Sequence, residues 1–543
     1  MRTSSWLLSL VLTSIAGATS VPARDYYLSP SGDDTHPGSR AKPWKTIAKI
    51  NATKFEPGDR VLFEGGQVFQ GNAVFTAEDA GTAARPVVVG SYGKGRATIE
   101  AGNGVAISVE NAGGLVIRDL VVRGADRTKN KSSGIHVVNR LPRDAKLEYI
   151  RIDNVEAADF GYAGIMVQGD AADKTQSGYN DVRITRCVAH GNAYYGIYVT
   201  GVWDTKPTTY AHTNVYIGYS KVYDNPGDPT YLENHSGSGI LMDYIDGGVM
   251  EWCTAFNNGY LCDSKKGGPV GLWTHASNNI LIQYNESYNN RTGKSVDGGG
   301  FDFDGGVSNS IMQYNYSHDN DGAGYLLYVY WGAPYTFRNN ICRYNISAND
   351  GRKNYYGGIW VGNDGGGVSD LEIYNNTVLV SAVPGATPKG VFVRDTSHVR
   401  FRNNLIVSSG GVPLVEVPKD QPGLLFQGNN YWSTDGKLLI KWAGKTYESL
   451  EAWRAATGQE NVGGIATGWS VDPLLTDVGE GATLGDALLL PTLRSYRLLP
   501  ASPMIDAGLD LRRLFGVSVG ANDLWRIPIP QGRGFDIGAH EAP

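Results

Sequence analysis

Two aspartates in the middle of this sequence are spaced for acid–base chemistry. Asp302 and Asp304 lie two residues apart, so on a β-strand both side chains point to the same face, with their carboxylates roughly 7 Å apart. Like charges at that separation raise the pKa of one group, which suits one carboxyl to donate a proton while the other accepts one. Aspartates in the centre of a strand also oppose local β-propensity, which favours a functional role.

A repeated five-residue strand pattern adds Asp243 and His275 to this pair. The pattern begins with glycine and recurs every 24 to 34 residues, at 239–243, 271–275, 300–304, 324–328, 358–362 and 390–394. Stacked strands lie ~4.8 Å apart, so Asp243 would share one outward column with Asp304, roughly 10 Å away, with His275 between them. We therefore predict that Asp302, Asp304, Asp243 and His275 form the catalytic group.

The alternation of side chains along each strand also predicts the core, because residues two apart share a face. The predicted inward pairs are Ile240/Met242, Leu272/Thr274, Phe301/Phe303, Tyr325/Leu327, Ile359/Val361 and Val391/Val393.

A second strand in each unit ends in a polar turn and predicts a ladder of stacked side chains. The asparagines assigned to this ladder are Asn285, Asn315, Asn340, Asn376 and Asn404. Cys187 and Cys253 fall in the same column two units apart, ~10 Å, which is beyond disulfide reach. They are interpreted as small buried fillers, whereas the state of Cys262 and Cys342 stays open.

These repeats predict an all-β fold, a right-handed parallel β-helix with an N-terminal helical cap and a C-terminal capping region. Helical repeats are excluded because the units are rich in glycine, asparagine and β-branched residues. Short helices are predicted at 43–51 and 447–455. The predicted regions are a signal peptide at 1–23, an N-terminal cap with the first coils at 24–105, the β-helix with its catalytic face at 106–429, and a C-terminal coil and cap at 430–543.

The composition and the first residues of the sequence predict the location of the protein and the classes of partner it lacks. The net charge of −6 over 543 residues gives no basic footprint for nucleic acid. The basic, then apolar, then small-residue order of 1–23 is typical of a secretory signal, and no later apolar run reaches the ~18 residues of a membrane span. We expect a secreted or periplasmic monomer with no membrane partner.

Several motifs resemble the pectate-lyase-like superfamily of secreted right-handed parallel β-helix carbohydrate-active enzymes. They are Tyr27-Leu-Ser-Pro-Ser-Gly-Asp33, Pro43-Trp-Lys-Thr46, Pro57-Gly-Asp-Arg-Val-Leu-Phe63, the coils themselves, Ile505-Asp-Ala-Gly508 and Asp536-Ile-Gly538. The resemblance covers nearly all of the chain after 1–23 and implies a polysaccharide or oligosaccharide substrate. It names no single reaction, because the superfamily includes hydrolases, lyases and epimerases and none of their catalytic signatures is present.

Aromatic residues beside the aspartates fit a saccharide cleft, because the apolar faces of sugar rings stack on aromatic rings. The predicted substrate-binding residues are Trp273, Tyr328, Tyr330, Trp331 and Trp360, with Asp364 and Arg394 at the far end.

Three functions remain open, in this order. The first is a glycoside hydrolase that needs no cofactor and inverts the anomeric centre, because inverting enzymes hold their carboxyls roughly 6.5–9.5 Å apart. The second is a polysaccharide lyase in which the aspartates hold Ca²⁺ and a basic group removes a proton. Candidates for that base are Lys265, Lys266, His275, Tyr328 and Arg394. The third is a non-catalytic glycan-binding solenoid.

Overall fold

The computed structural model describes residues 22–204, 206–477 and 481–543. The predicted signal peptide therefore lies outside the described residues, apart from Pro22 and Ala23. Almost all strands pair in parallel with the equivalent strand of the next coil, so the chain forms a parallel β-solenoid with three sheets along its length. This confirms the predicted all-β solenoid.

The first sheet, which carries the predicted site, consists of Ala73–Phe75, Ile107–Glu110, Ile135–Asn139, Ala163–Gly169, Tyr195–Thr200, Ser238–Asp243, Val270–His275, Gly299–Asp304, Tyr325–Val329, Gly357–Asn363, Lys389–Val393, Val415–Val417, Ile440–Trp442 and the antiparallel Lys445–Tyr447. The second consists of Asp25–Leu28, Arg60–Glu64, Val87–Tyr92, Leu115–Arg123, Lys146–Ala158, Gly178–Thr185, His212–Gly218, Ile245–Glu251, Asn278–Gln283, Ile311–Gln313, Phe337–Arg343, Val368–Tyr374, Thr396–Arg402 and Leu425–Gln427. The third consists of Val68–Gln70, Ala97–Glu100, Val188–His190, Lys221–Tyr223, Thr254–Phe256, Glu286–Tyr288, Tyr316–His318, Ile346–Ala348, Thr377–Ser381, Leu405–Ser409 and Asn430–Ser433. The C-terminal ends of two long strands of the second sheet, Leu115–Arg123 and Lys146–Ala158, also pair with strands of this third sheet.

The register of the first sheet follows the predicted alternation. Ile240 pairs with Leu272, which pairs with Phe301, and Phe301 pairs with Tyr325. All the predicted inward pairs are buried. A parallel sheet buried on its inner face needs such uninterrupted apolar columns, because each coil buries its apolar side chains against the coils above and below.

An amide ladder holds the turn between the second and third sheets. Asn315 accepts hydrogen bonds at Oδ1 from the Asn285 backbone N–H (3.1 Å) and Nδ2 (3.0 Å), and donates in the same way to Asn345 (3.0 Å each). The full column is Cys187, Ser220, Cys253, Asn285, Asn315, Asn345, Asn376, Asn404 and Asn429.

One member of the predicted ladder is wrong. Met312 pairs with Cys342, which places Asn345 and not Asn340 in the column. The sequence around Asn340 resembles the turn pattern that recurs five residues later, and the pairing of apolar residues decides between them. Asn340 caps an earlier turn instead, where it accepts the Ser310 N–H at 3.0 Å.

A second ladder, which was not predicted, holds the turn between the third and first sheets. It consists of Asn192, Asn225, Asn258, Asn290, Asn320 and Asp350. Two buried amide columns thus fix two of the corners of each coil in the region that carries the predicted site. All four cysteines are buried and free, as the column interpretation of Cys187 and Cys253 predicted.

The ends of the solenoid are covered by non-repetitive chain. A short helix, Ile47–Asn51, lies at the N-terminal end, and the predicted second helix spans Leu450–Thr457, with Ser449 as N-cap and Gly458 in the left-handed conformation. A last helix spans Leu511–Phe515, an antiparallel pair joins Asn461–Val462 to Ile465–Ala466, and two short 3₁₀ segments span Ala77–Asp79 and Ala487–Thr492.

Residues 481–543, here called the C-terminal arm, fold back along the third sheet. Their apolar side chains form one buried cluster with tyrosines and leucines of that sheet. Among the described residues no helix is long and apolar enough to cross a membrane.

The ladder between the second and third sheets predicts that loss of one asparagine destabilises the fold. Asn315→Ala removes the acceptor for two donors and leaves the neighbouring amides buried without partners, so we expect a loss of about 2–4 kcal/mol in the free energy of unfolding. Chemical denaturation measures it, with Asn103→Ala at an exposed asparagine as the control. Equal unfolding midpoints for the two variants would show that the ladder does not stabilise the fold.

Candidate active site

The structure brings ten of the eleven predicted site residues to one cavity of about 590 Å³ on the first sheet. The ten are Asp243, Trp273, His275, Asp302, Asp304, Tyr328, Tyr330, Trp360, Asp364 and Arg394. Trp331 is 80% exposed in the turn after its strand and does not line this cavity.

Strand register places the four predicted catalytic residues as the repeat predicts. Asp243 pairs with His275, which pairs with Asp304, and Trp273 pairs with Asp302. The five residues therefore form two adjacent outward columns. Their positions follow from backbone pairing and not from a flexible loop.

Asp302 is buried and Asp304 is partly buried. Oδ1 of each is buried and has no hydrogen-bond partner among the described residues. Burial, with the negative charges of Asp304 and Asp297 adding to it, raises the pKa of Asp302 well above its usual range. Burial also raises the pKa of Asp304, to about 7, although the nearby His275 acts in the opposite direction. The surroundings of the two carboxyls thus differ, because His275 favours the ionised form of Asp304 and no cation in the described part of the chain does so for Asp302.

His275 is fixed by hydrogen bonds at both ring nitrogens. Nδ1 lies 2.7 Å from Asp243 Oδ1, and Nε2 lies 2.7 Å from the Tyr330 hydroxyl. The Thr200 hydroxyl donates to the other oxygen of Asp243 at 3.0 Å. Burial by itself would lower the pKa of His275, but the charge and hydrogen bond of Asp243 outweigh it, so the pKa is raised.

Trp203 covers this histidine. Its ring stacks on His275 at 5.6 Å between centroids and on Tyr330 at 6.4 Å, and it remains 59% exposed. Trp203 comes from the loop after the strand Tyr195–Thr200. No strand pattern includes it, so the repeat gave no signal for it.

Close packing at Gly305 also holds the histidine in place. A Cβ at this position would lie 2.6 Å from His275 Nε2 and 2.5 Å from Tyr330 Cε1, and the backbone has a positive φ of 45°. Only glycine fits such a close approach in that conformation.

Asp297 is a further carboxylate in the cavity, and the sequence did not indicate it. Tyr356 donates its hydroxyl to Oδ1 at 2.5 Å, and the Gly268 N–H donates to Oδ2 at 2.7 Å. Burial raises its pKa. Asp297 lies in the loop before Gly299–Asp304, where the alternation that identified the other carboxylates does not operate.

Aromatic clusters lie on both sides of the carboxylates. Towards the N-terminal coils, Trp273 packs with Tyr195, Leu241 and Met166, and towards the C-terminal coils Trp360 packs with Tyr356 and Phe392. The indole nitrogens of both tryptophans are buried and have no hydrogen-bond partner among the described residues. Each cluster therefore combines an apolar surface with a buried donor that has no partner among the described residues.

Arg394 and Asp364 form the far rim of the cavity. Arg394 donates to Asp364 Oδ1 at 2.5 Å and lies 5.4 Å from the centre of the Trp360 ring, and Tyr328 donates its hydroxyl to Asp364 Oδ2. This rim is polar and largely neutralised.

In the described parts of the chain, no three His, Cys, Asp or Glu residues are grouped so that they would hold a metal ion. Lys266, one of the bases considered for a lyase, lines the cavity but pairs with Glu233 at 3.1 Å.

Comparison with known proteins identifies the fold. A family model described as the right-handed β-helix region matches residues 143–345. The solenoid is a right-handed β-helix.

The similarity of this β-helix to a curated protein extends over most of the chain. It is 24% identical to a lacto-N-biosidase from Bifidobacterium longum subsp. longum, over 91% of this chain and 35% of that protein. The chain thus spans about a third of the length of this relative. The predicted resemblance to right-handed β-helix carbohydrate-active enzymes is confirmed.

Two solved structures superpose on this chain with TM-scores below 0.5. The native GH136 lacto-N-biosidase from Eubacterium ramulus is 19% identical with a TM-score of 0.47, over 72% of this chain and 65% of that one. Pectate lyase Pel9A is 15% identical with a TM-score of 0.40, over 97% and 98%. At these TM-scores neither superposition bears on the reaction.

The buried carboxylate at 304 predicts a pH-dependent cost in stability. Its folded pKa lies above the ordinary value of 3.8, so the folded protein binds the proton more tightly than the unfolded chain, and stability falls as pH rises from about 4 through about 7. Asp304→Asn removes this titration. We expect the variant to melt a few degrees higher than the wild type above pH 7 and at a similar temperature near pH 4.

Thermal melts across this pH range test the expectation, with Glu451→Gln at an exposed glutamate as the control. A difference between wild type and Asp304→Asn that does not change with pH would contradict the assigned pKa.

Proposed function

We propose that this β-helix protein is a glycoside hydrolase whose acid and base are Asp302 and Asp304. The observation that carries the proposal is the pair of buried outward carboxyls, with hydrogen-bonding positions left open and with different pKa values, in a cavity flanked by aromatic rings. Such a split is how two chemically identical groups take opposite roles. The similarity to a lacto-N-biosidase supports hydrolysis and makes a lacto-N-bioside the first substrate to test.

The roles follow from the proton affinities. Asp302, whose pKa is raised well above its usual range by burial, donates its proton to the glycosidic oxygen as the bond to the anomeric carbon breaks. Asp304, with the lower pKa, accepts a proton from the water that attacks that carbon. Neighbouring positions on one strand face place the carboxyls roughly 7 Å apart, which leaves room for this water and favours inversion.

The aromatic clusters supply binding on either side of the scissile bond. Sugar rings stack on such surfaces through their apolar faces, and the free indole N–H groups of Trp273 and Trp360 are placed to donate to hydroxyl or amide oxygens. Binding energy from these flanking rings orients the bond over the carboxyls.

Turnover of a chromogenic lacto-N-bioside and a panel of neutral and uronate-containing glycans tests the reaction. We expect products heavier by one water, unaffected by EDTA, and a fall of about 10²–10⁴ in kcat for Asp302→Asn and Asp304→Asn. Mass spectrometry identifies the products, and ¹H NMR of the first anomer formed tests inversion.

Three outcomes would count against the proposal. Dehydrated products that disappear with EDTA would establish the lyase instead, and binding of glycans without turnover would establish a binding solenoid. Full activity in both asparagine variants, with Glu451→Gln as the matched control, would remove the carboxyl pair from the mechanism.

The pH profile is a separate test of the roles. The base must be ionised, so kcat/KM is expected to fall below about pH 7 as Asp304 takes up a proton. It is expected to fall again at alkaline pH as Asp302 loses its proton. A profile that rises steadily from pH 7 down to pH 4 would reverse or refute the assignment.

A further inference from the structure

We propose that His275 is a positioning residue, held between Asp243 and Tyr330, that makes Asp304 and not Asp302 the ionised member of the carboxyl pair. This inference rests on the proposed function, which needs one carboxyl to be ionised. In this view the hydrogen-bonded set Asp243, His275 and Tyr330 determines which carboxyl is ionised, which strand register alone does not determine.

The hydrogen bonds favour a charged imidazole. Both ring nitrogens lie 2.7 Å from an oxygen, Nδ1 from the Asp243 carboxylate and Nε2 from the Tyr330 hydroxyl. The Tyr330 hydroxyl can accept from Nε2 or donate to it and so fits either form of the ring, whereas the carboxylate 2.7 Å from Nδ1 stabilises the protonated form. Because Thr200 also donates to Asp243, the carboxylate cannot turn away without losing a second hydrogen bond.

The position of His275 distinguishes between the two carboxyls. His275 pairs with Asp304 in the sheet, whereas Asp302 pairs with Trp273 in the other column. Adjacent strands lie ~4.8 Å apart, a range at which an opposite charge favours the ionised form by one pKa unit or more. Gly305 lets the ring approach the end of the Asp304 strand, because any side chain there would collide with it.

Among the other groups around Asp304, the Gly305 backbone N–H also favours the ionised carboxylate, but it is not a cation. Asp243, Asp297 and Asp302 are acidic and oppose its ionisation, and Tyr328 and Tyr330 have pKa values raised by burial. The second histidine of the cavity, His235, has its pKa lowered by burial to about 4. His275 is the histidine of the cavity whose protonated form is favoured, because Asp243 raises its pKa.

Stability linkage measures the effect without any substrate. In each background, the difference in Tm between the protein and its Asp304→Asn version is recorded against pH. This difference changes between the unfolded and the folded pKa of Asp304, so the upper pH at which its slope falls to half, here called the Asp304 midpoint, reports the folded pKa. In the His275→Gln background we expect this midpoint to move up by about one pH unit or more. The acidic limb of kcat/KM should move up with it.

A matched control comes from the opposite side of the molecule. His318 is also a buried histidine that contacts two carboxyls, Glu286 at 3.4 Å and Asp319 at 2.8 Å, and its pKa is also raised against the effect of burial. It lies on the third sheet and not in the cavity. His318→Gln should leave the Asp304 midpoint unchanged, which separates the proposed role from a general loss of a buried ion pair.

A second variant keeps the inference falsifiable if His275→Gln does not fold. Asp243→Asn removes a negative charge, which by direct action would lower the Asp304 midpoint. It also removes the partner that keeps His275 charged, and the loss of this nearer cation would raise the midpoint. The inference requires a rise, and a fall overturns it.

The outcomes separate the inference from the proposed function. An unchanged midpoint in His275→Gln refutes the role of His275 even if the protein hydrolyses glycans. A shifted midpoint in a protein that turns over no glycan supports the electrostatic role and refutes the hydrolase.

Discussion

The fixed register between parallel strands is the constraint on which the rest of this structure depends. Main-chain hydrogen bonds hold successive coils at one spacing, and two buried ladders, mostly of asparagine, prevent the coils from slipping at the turns. A slip of one residue would exchange the inner and outer faces of a strand. It would carry Asp302 and Asp304 into the apolar core, so the geometry of the site and the integrity of the core are enforced by the same contacts.

The same architecture produces the electrostatics of the site. The outer side chains of the first sheet are shielded by neighbouring columns and loops, and aromatic clusters lie on both sides of Asp302, which is buried, and Asp304, which is partly buried. Burial then opposes ionisation of both groups, and their mutual repulsion adds to it. Burying two carboxyls in this way is unfavourable, and the rest of the fold must be stable enough to offset it. Such local losses of stability are common at functional sites.

Sequence reasoning succeeded where strand alternation operates and failed where it does not. The core pairs and the columns through Asp243, His275 and Asp304 follow from a period of two and a spacing of one coil, and the structure reproduces them. Asn345 was missed because two similar turn sequences lie five residues apart and only strand pairing chooses between them. Asp297 and Trp203 come from loops whose path depends on tertiary packing, for which a single sequence contains no periodic signal.

The strand residues and the loop residues of the cavity differ in how well they tolerate substitution. Asp302, Asp304 and His275 belong to the stacked coils, where a substitution affects the neighbours above and below. Trp203, His235 and Asp297 belong to loops that reach the same cavity from the side. Loops tolerate insertion and replacement far better than a buried ladder does. A substitution at one of the three loop residues is therefore expected to disturb the fold less than one at a strand residue of the cavity.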